Sequence, residues 1–314
     1  MTAVGKMLSA AAIASMAASA NAQTPAVRNV VLVQGAFADG SGWRGVYDEL
    51  TRRGYQVTIV QNPLTSLADD VAATRRALDR QNGPAVLVGH SWGGTVITEA
   101  GVHQNVAALV FVSALSPDAG ETTGQQYAGF APTPQFVIET HASGFGYVSP
   151  AKFKAGFAHD VSDAEAAAFL RDSHVPINMS AFESRLTNAA WRTRPSWAVI
   201  ATEDKAFDQA MLLHMAKRIG ARITTVRASH ALLITQARVV ADTIEQALAS
   251  GIAMTEVGDP VFYESLGVAF DNTVADNDSL VAAVDAIIGE MHEDGTLLTL
   301  SQKWFAGKDR VTAQ

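Results

Sequence analysis

Ala85-Val86-Leu87-Val88-Gly89-His90-Ser91-Trp92-Gly93-Gly94 is the stretch whose reading decides the fold. Ala85 to Val88 is short and wholly apolar, as a strand buried on both faces should be, while Gly93 to His103 carries a helical pattern. Between them, Gly89-His90-Ser91-Trp92-Gly93 fits G-x-S-x-G. In a strand-turn-helix setting that motif holds a serine nucleophile on a strained turn at the carboxyl end of a sheet. Gly89 and Gly93 are required because side chains there would collide where helix meets strand. Chance alone gives about 0.1 such matches in a chain of this composition, so the neighbourhood must supply the rest of the chemistry.

Outward from this stretch, Arg28 to Ser250 alternates short β-branched runs with longer amphipathic ones, the pattern of a parallel sheet covered by helices. Strands are predicted at Asn29 to Val33, Gln56 to Val60, Ala85 to Val88, Ala107 to Val112, Ser196 to Ala201 and Arg222 to Val226. Helices are predicted at Ser66 to Arg80, Gly93 to His103, Gln209 to Ile219 and Leu232 to Leu248. A serine hydroxyl needs a base to take its proton and an acid to orient that base, and in this architecture both sit on loops after later strands, acid before base. Asp204 follows the fifth strand and His230 the sixth, so these are the expected acid and base for Ser91; Glu203 is the rival acid. Acyl transfer also needs two backbone N–H groups facing the developing oxyanion. Trp92 is expected to supply one and Ala36, in the Gln34-Gly35-Ala36-Phe37 turn after the first strand, the other.

The 314 residues are 48% apolar and 17% charged, with a net charge of −8, which describes a globular chain without the basic footprint of a nucleic-acid binder. The absence of Cys excludes disulfides, thiolate metal sites and a cysteine nucleophile. Met1 to Ala22, with Lys6, an Ala-rich stretch and Ala20-Asn21-Ala22, reads as a secretory signal peptide and predicts a periplasmic or secreted protein; the competing reading is an Ala-rich helix. No apolar run is long enough for a membrane span of about 20 helical residues. Leu115 to Pro195 breaks the strand-helix rhythm and is predicted to be a lid, helical from Ser149 to Ala190; a disordered insertion is the alternative. Residues 251–314 hold eleven acids and three bases, which leaves twenty of each sign in residues 1–250. A charge step of that size predicts a domain boundary near Gly251.

These residues resemble the α/β-hydrolase superfamily, in the small bacterial esterase-like branch related to plant methyl esterases and hydroxynitrile lyases. The resemblance lies in Gln34-Gly35-Ala36-Phe37-Ala38-Asp39-Gly40-Ser41-Gly42-Trp43, Ser113 to Glu121, Ala190 to Trp197 and Ala201 to Ala206. It implies an α/β fold: a mostly parallel sheet, helices on both faces, a helical lid and a short α-rich C-terminal appendage. Two positions depart from that branch: Gln34 replaces its usual His, and Phe207-Asp208-Gln209 lacks its usual Pro. The tail, in Ser265 to Phe270, Asp278 to Glu293, Asp294 to Leu297 and Ser301 to Phe305, resembles the end of periplasmic amino-acid-binding proteins of ABC importers. Its apolar positions Leu280, Val284, Ile287, Ile288 and Met291 imply docking on the hydrolase part or on a second copy, hence a possible homodimer.

The leading expectation is a carboxylic ester hydrolase acting through Ser91, His230 and Asp204, needing no cofactor or metal, on a small apolar ester held by Phe37, Trp191 and Phe207. A hydroxynitrile-lyase-like carbon–carbon lyase on the same three residues is the second reading. Such enzymes typically carry Lys after the histidine and Thr in the oxyanion loop, where this chain has Ala231 and Gly35. Perhydrolysis, and a ligand sensor that does not turn over, stay open.

Overall fold

A computed structural model describes residues 27–250 and 278–299. The predicted signal peptide, and the tail outside 278–299, lie beyond the described residues. The chain divides into two compact units, residues 1–254 and 255–314.

In the first unit the strands β1 (Asn29–Val33), β2 (Gln56–Val60), β3 (Ala85–His90), β4 (Val106–Val112), β8 (Ser196–Ala201) and β9 (Arg222–Val226) form one sheet in the order β2-β1-β3-β4-β8-β9. Every pairing in it is parallel. All six predicted strands are present. The central ones are buried along most of their length, whereas β2 and β9, at the edges, carry polar residues and are partly exposed.

Alternation along each buried strand builds two cores. Val31, Val33, Leu87, Leu109, Phe111 and Ile200 face one way, onto α2 (Leu67–Asp79), α3 (Gly93–Ala100) and α6 (Gln209–Arg218). Val30, Leu32, Val86, Val88, Val110 and Val199 face the other way, onto α1 (Arg44–Arg52), α7 (Leu232–Thr235) and α8 (Ala237–Ser250). Helix starts follow their capping residues: Ser66 Oγ accepts from the Asp69 N–H at the head of α2, and Asp208 Oδ1 from the Met211 N–H at the head of α6. The predicted helix from Leu232 to Leu248 breaks at Gln236, giving α7 and α8.

Between β4 and β8 the chain is only partly helical. It contains β5 (Ile138–Thr140), β6 (Phe145–Val148) and β7 (Ile177–Asn178), paired antiparallel, together with α4 (Phe153–Gly156) and α5 (Ala164–Asp172). The hairpin turns at Ala142-Ser143-Gly144, where Gly144 has φ 83°, a conformation that a side chain would strain. In the second unit, α9 (Asp278–Glu293) is described. Among the described residues no helix is long and apolar enough to cross a membrane.

The strand order reverses between β1 and β3, since the chain leaves β1 for β2 on one side and returns to β3 on the other. The loops after β1 and β3 therefore diverge and leave a crevice at their carboxyl ends, where open α/β sheets bind ligands.

Candidate active site

Ser91 stands in that crevice. Its φ is 53°, a left-handed conformation rare for a side chain with a Cβ, and it is held by its N–H donating to Val112 O and its carbonyl accepting from the Leu115 N–H. The turn is possible only because its flanks lack side chains. A Cβ on Gly89 would strike the Gly93 backbone, and one on Gly93 would lie 2.6 Å from Val33 O. The serine is largely buried, at 8% exposure.

His230 Nδ1–H donates to Asp204 Oδ2 at 2.7 Å, with the two side chains 1% and 0% exposed. The other carboxylate oxygen, Oδ1, accepts from the Ala206 and Phe207 N–H groups at 2.8 and 3.0 Å. Asp204 is thus fixed by three donors, and His230 is left with Nε2 as a free acceptor. Glu203, the rival acid, instead accepts from Arg227 Nε at 2.7 Å and is drawn away toward solvent.

The imidazole of His230 packs among aromatic rings: Phe207 at 4.8 Å, Phe157 at 5.1 Å and Phe136 at 6.4 Å between centroids. On the elbow side it meets the ring of His90, next to Ser91, at 4.7 Å. His90 Nε2–H donates to the His230 carbonyl at 2.9 Å, which ties the elbow to the histidine loop. Burial, and then the neighbouring His230, push the pKa of His90 well below the ordinary value, so His90 is neutral at pH 7. Among the described hydrogen bonds none joins Ser91 Oγ to His230 Nε2; His230 reaches the serine's neighbourhood through His90.

The loop after β1 passes close to the serine, for a Cβ on Gly35 would lie 2.9 Å from Ser91 Cβ. Ala36 and Trp92 are buried, and among the described residues no hydrogen bond uses either backbone N–H. Buried backbone N–H groups rarely stay unpaired. Phe37, with φ 62°, completes the strained turn. Gln34 Nε2 donates to Ala38 O at 2.9 Å and to Asn62 O at 3.4 Å, so this residue still braces the turn.

Two carboxylates absent from the sequence reading hold this frame. Asp160, in the segment between β4 and β8, accepts at Oδ2 from the Ser229 N–H at 3.0 Å and from Thr235 Oγ1 at 2.8 Å. Burial opposes its charge, but those hydrogen bonds prevail and keep its carboxyl below the usual range. The same segment grips both functional loops: Phe157 O accepts from the Ala231 N–H, and His159 Nε2–H donates to Glu203 O. Asp70, fully buried on α2, accepts from Trp92 Nε1 and from the Leu64 N–H, both at 2.8 Å. Nothing in the local sequence signals the distant partners, Ser229 and Thr235 at 69 and 75 positions from Asp160 and Trp92 at 22 positions from Asp70.

Phe207 joins the group around His230, and Phe37 packs against Phe136 at 6.0 Å. The structure does not bring Trp191 to them. Its Nε1–H donates to Pro117 O, and the guanidinium groups of Arg192 and Arg218 lie over its ring at 5.7 and 5.9 Å. Among the described residues no group of three or more His, Asp or Glu side chains is arranged to hold a metal ion.

The chain belongs to the alpha/beta hydrolase family, whose model matches residues 30–243. The alpha/beta hydrolase nvfD of Aspergillus novofumigatus is 26% identical over 223 residues, spanning 63% of this chain and 86% of that protein. Among solved structures, a pyrethroid hydrolase from Sphingobium faniae superposes with a TM-score of 0.62 at 19% identity, covering 71% of this chain and 98% of its own. Polyneuridine aldehyde esterase gives 0.62 at 17% identity, covering 70% and 98%. At these identities the structural likeness concerns the fold.

Proposed function

We propose that the protein is a carboxylic ester hydrolase that works through an acyl-enzyme. The observation that carries this reading is the sealed His230–Asp204 pair, whose imidazole meets the residue preceding Ser91. Ser91 Oγ first forms its hydrogen bond to His230 Nε2, a contact that is commonly loose in such sites before substrate binds. The oxygen attacks the ester carbonyl while Nε2 takes its proton. Asp204 stabilises the resulting imidazolium, and the Ala36 and Trp92 N–H groups receive the oxyanion, each such donor being worth roughly 3 kcal/mol. The carbon–alkoxy bond then breaks, and the alcohol leaves with the proton from His230. Water repeats the route: it gives a proton to His230, its oxygen joins the acyl carbon, and the acid departs as Ser91 regains its hydrogen.

Family membership, and the fold shared with proteins named as a pyrethroid hydrolase and polyneuridine aldehyde esterase, support hydrolysis. Phe37, Phe136, Phe157 and Phe207 around the site favour an apolar substrate. Residues 1–22 are proposed as an export leader, which places the reaction outside the cytoplasm. Steady-state turnover of short p-nitrophenyl esters tests the reading: sustained release abolished by Ser91→Ala supports it, and a single stoichiometric burst, or turnover that survives the substitution, removes it.

A further inference from the structure

Three phenyl rings stand around the base that must activate whatever nucleophile frees the acyl-enzyme: Phe207, Phe157 and Phe136, with centroids 4.8, 5.1 and 6.4 Å from that of the His230 ring. None of them offers water a conventional hydrogen bond, and Ser91 and His230 are only 8% and 1% exposed. A water molecule in such surroundings gives up hydrogen bonds that it keeps in bulk, which lowers its occupancy beside the base.

The cavity beside the elbow extends this apolar surface. It has about 460 Å³ of empty space, counted with its mouth, and Phe37, Phe153, Phe157, Leu170, Leu233 and Ile234 make up much of its wall. Gly35 lines it too, and a Cβ there would lie 2.9 Å from Ser91 Cβ, so the cavity reaches the flank of the nucleophile. Phe157 belongs both to this wall and to the rings around His230.

Among the described residues no Lys or Arg lines the cavity, and its one carboxylate, Asp39, is engaged by the Ser41 N–H and hydroxyl. Burial lowers the pKa of His174 to about 4, so its ring is neutral at pH 7. An apolar body therefore gains here by leaving bulk water, a gain that water itself does not have. By microscopic reversibility the alcohol that leaves in acylation and the nucleophile that enters afterwards use the same base and the same approach to the acyl carbon. We infer that the protein is also an acyltransferase, which passes the acyl group from Ser91 to apolar primary alcohols in preference to water. The alcohol hydroxyl gives its proton to His230 Nε2 while its oxygen bonds to the acyl carbon. The bond from that carbon to Ser91 Oγ then breaks, the proton passes from Nε2 to Oγ, and the new ester departs. The inference rests on the proposed hydrolase reading and adds a second class of acceptor to it.

Competition between acceptors tests it. The full chain is given p-nitrophenyl acetate with about 50 mM benzyl alcohol or about 50 mM methanol, two alcohols of nearly equal oxygen acidity, so that a difference between them reads binding. Initial rates of acetate and of acetate ester formation are measured by gas chromatography, with Ser91→Ala as the blank. Benzyl acetate is expected to form at least as fast as acetate, about a thousandfold preference per mole over water at about 55 M, and at least tenfold faster than methyl acetate forms from methanol. Acetate outpacing benzyl acetate would overturn the transfer, and so would a lead over methanol of less than tenfold. Either result, with p-nitrophenol release steady and lost in Ser91→Ala, leaves the hydrolase reading intact. Absence of p-nitrophenol release by the wild-type protein removes the hydrolase reading and the transfer together.

Discussion

His230 Nδ1 and Asp204 Oδ2 lie 2.7 Å apart with both side chains sealed from water, although 26 positions separate them in the chain. In the same loop Glu203 turns outward to Arg227. Two adjacent carboxylates are thus sorted by their partners: one faces a buried imidazole and two backbone N–H groups, the other an exposed guanidinium.

That sorting gives opposite outcomes for two conservative changes. Asp204→Asn keeps the shape but removes the charge and permits the wrong imidazole tautomer, and it is expected to lower kcat by about 10³ to 10⁴. Glu203→Gln disturbs only an exposed ion pair, worth about 1 kcal/mol at most, and should leave kcat within about twofold. Initial rates on one ester, with thermal melts to confirm folding, separate the two.

Asp160 carries no chemistry in this account but sets where His230 stands, through Ser229 and Thr235. Asp160→Ala strands the N–H of Ser229, a residue that is 0% exposed, at an expected cost of about 1 to 3 kcal/mol. Asp160→Asn retains an acceptor and should lose less. Denaturation midpoints and kcat are expected to fall in the order wild type, Asn, Ala; a melt lowered with kcat untouched would confine Asp160 to stability.

The Asp70 carboxyl is pushed up to about 6 from an ordinary 3.8, chiefly by burial, against hydrogen bonds from Trp92 and Leu64 that lower it. Between those values the folded protein binds a proton at Asp70 that the unfolded chain has released. The contribution of this group to stability is therefore full below about pH 4 and declines as pH rises to about 6, by about 1.4 kcal/mol per unit at most. The stability of wild type minus that of Asp70→Asn should fall over that window and level off above it. Urea unfolding at successive pH values reads this directly, and a wild type that gains stability relative to the variant as pH rises would reverse the assignment.

Much of this was legible because it depends on local pattern. Strands buried on both faces read as apolar runs, Ser66 and Asp208 mark helix starts, and G-x-S-x-G between a strand and a helix places Ser91. Asp204 and His230 could be chosen because few acids and histidines follow a late strand. The hairpin of β5 and β6 was not foreseen, though Ala142-Ser143-Gly144 between aromatic and β-branched residues is a turn signal. Asp70 and Asp160 were invisible, since an acid on a helix or in a loop shows no partner until distant segments pack against it. Trp191 is expected in the pocket as an aromatic residue of the lid, but its indole N–H is committed to Pro117 O, a partner that only the folded chain reveals.

In the proposed reaction Ser91 attacks carbon, and covalent labelling reads that step. Treatment with an alkyl fluorophosphonate, followed by peptide mass spectrometry, should give one adduct per chain at Ser91, with ester turnover lost in proportion to labelling and neither labelling nor turnover in Ser91→Ala. Stoichiometric labelling at another residue, or full turnover by a chain labelled at Ser91, would show that Ser91 is not the nucleophile.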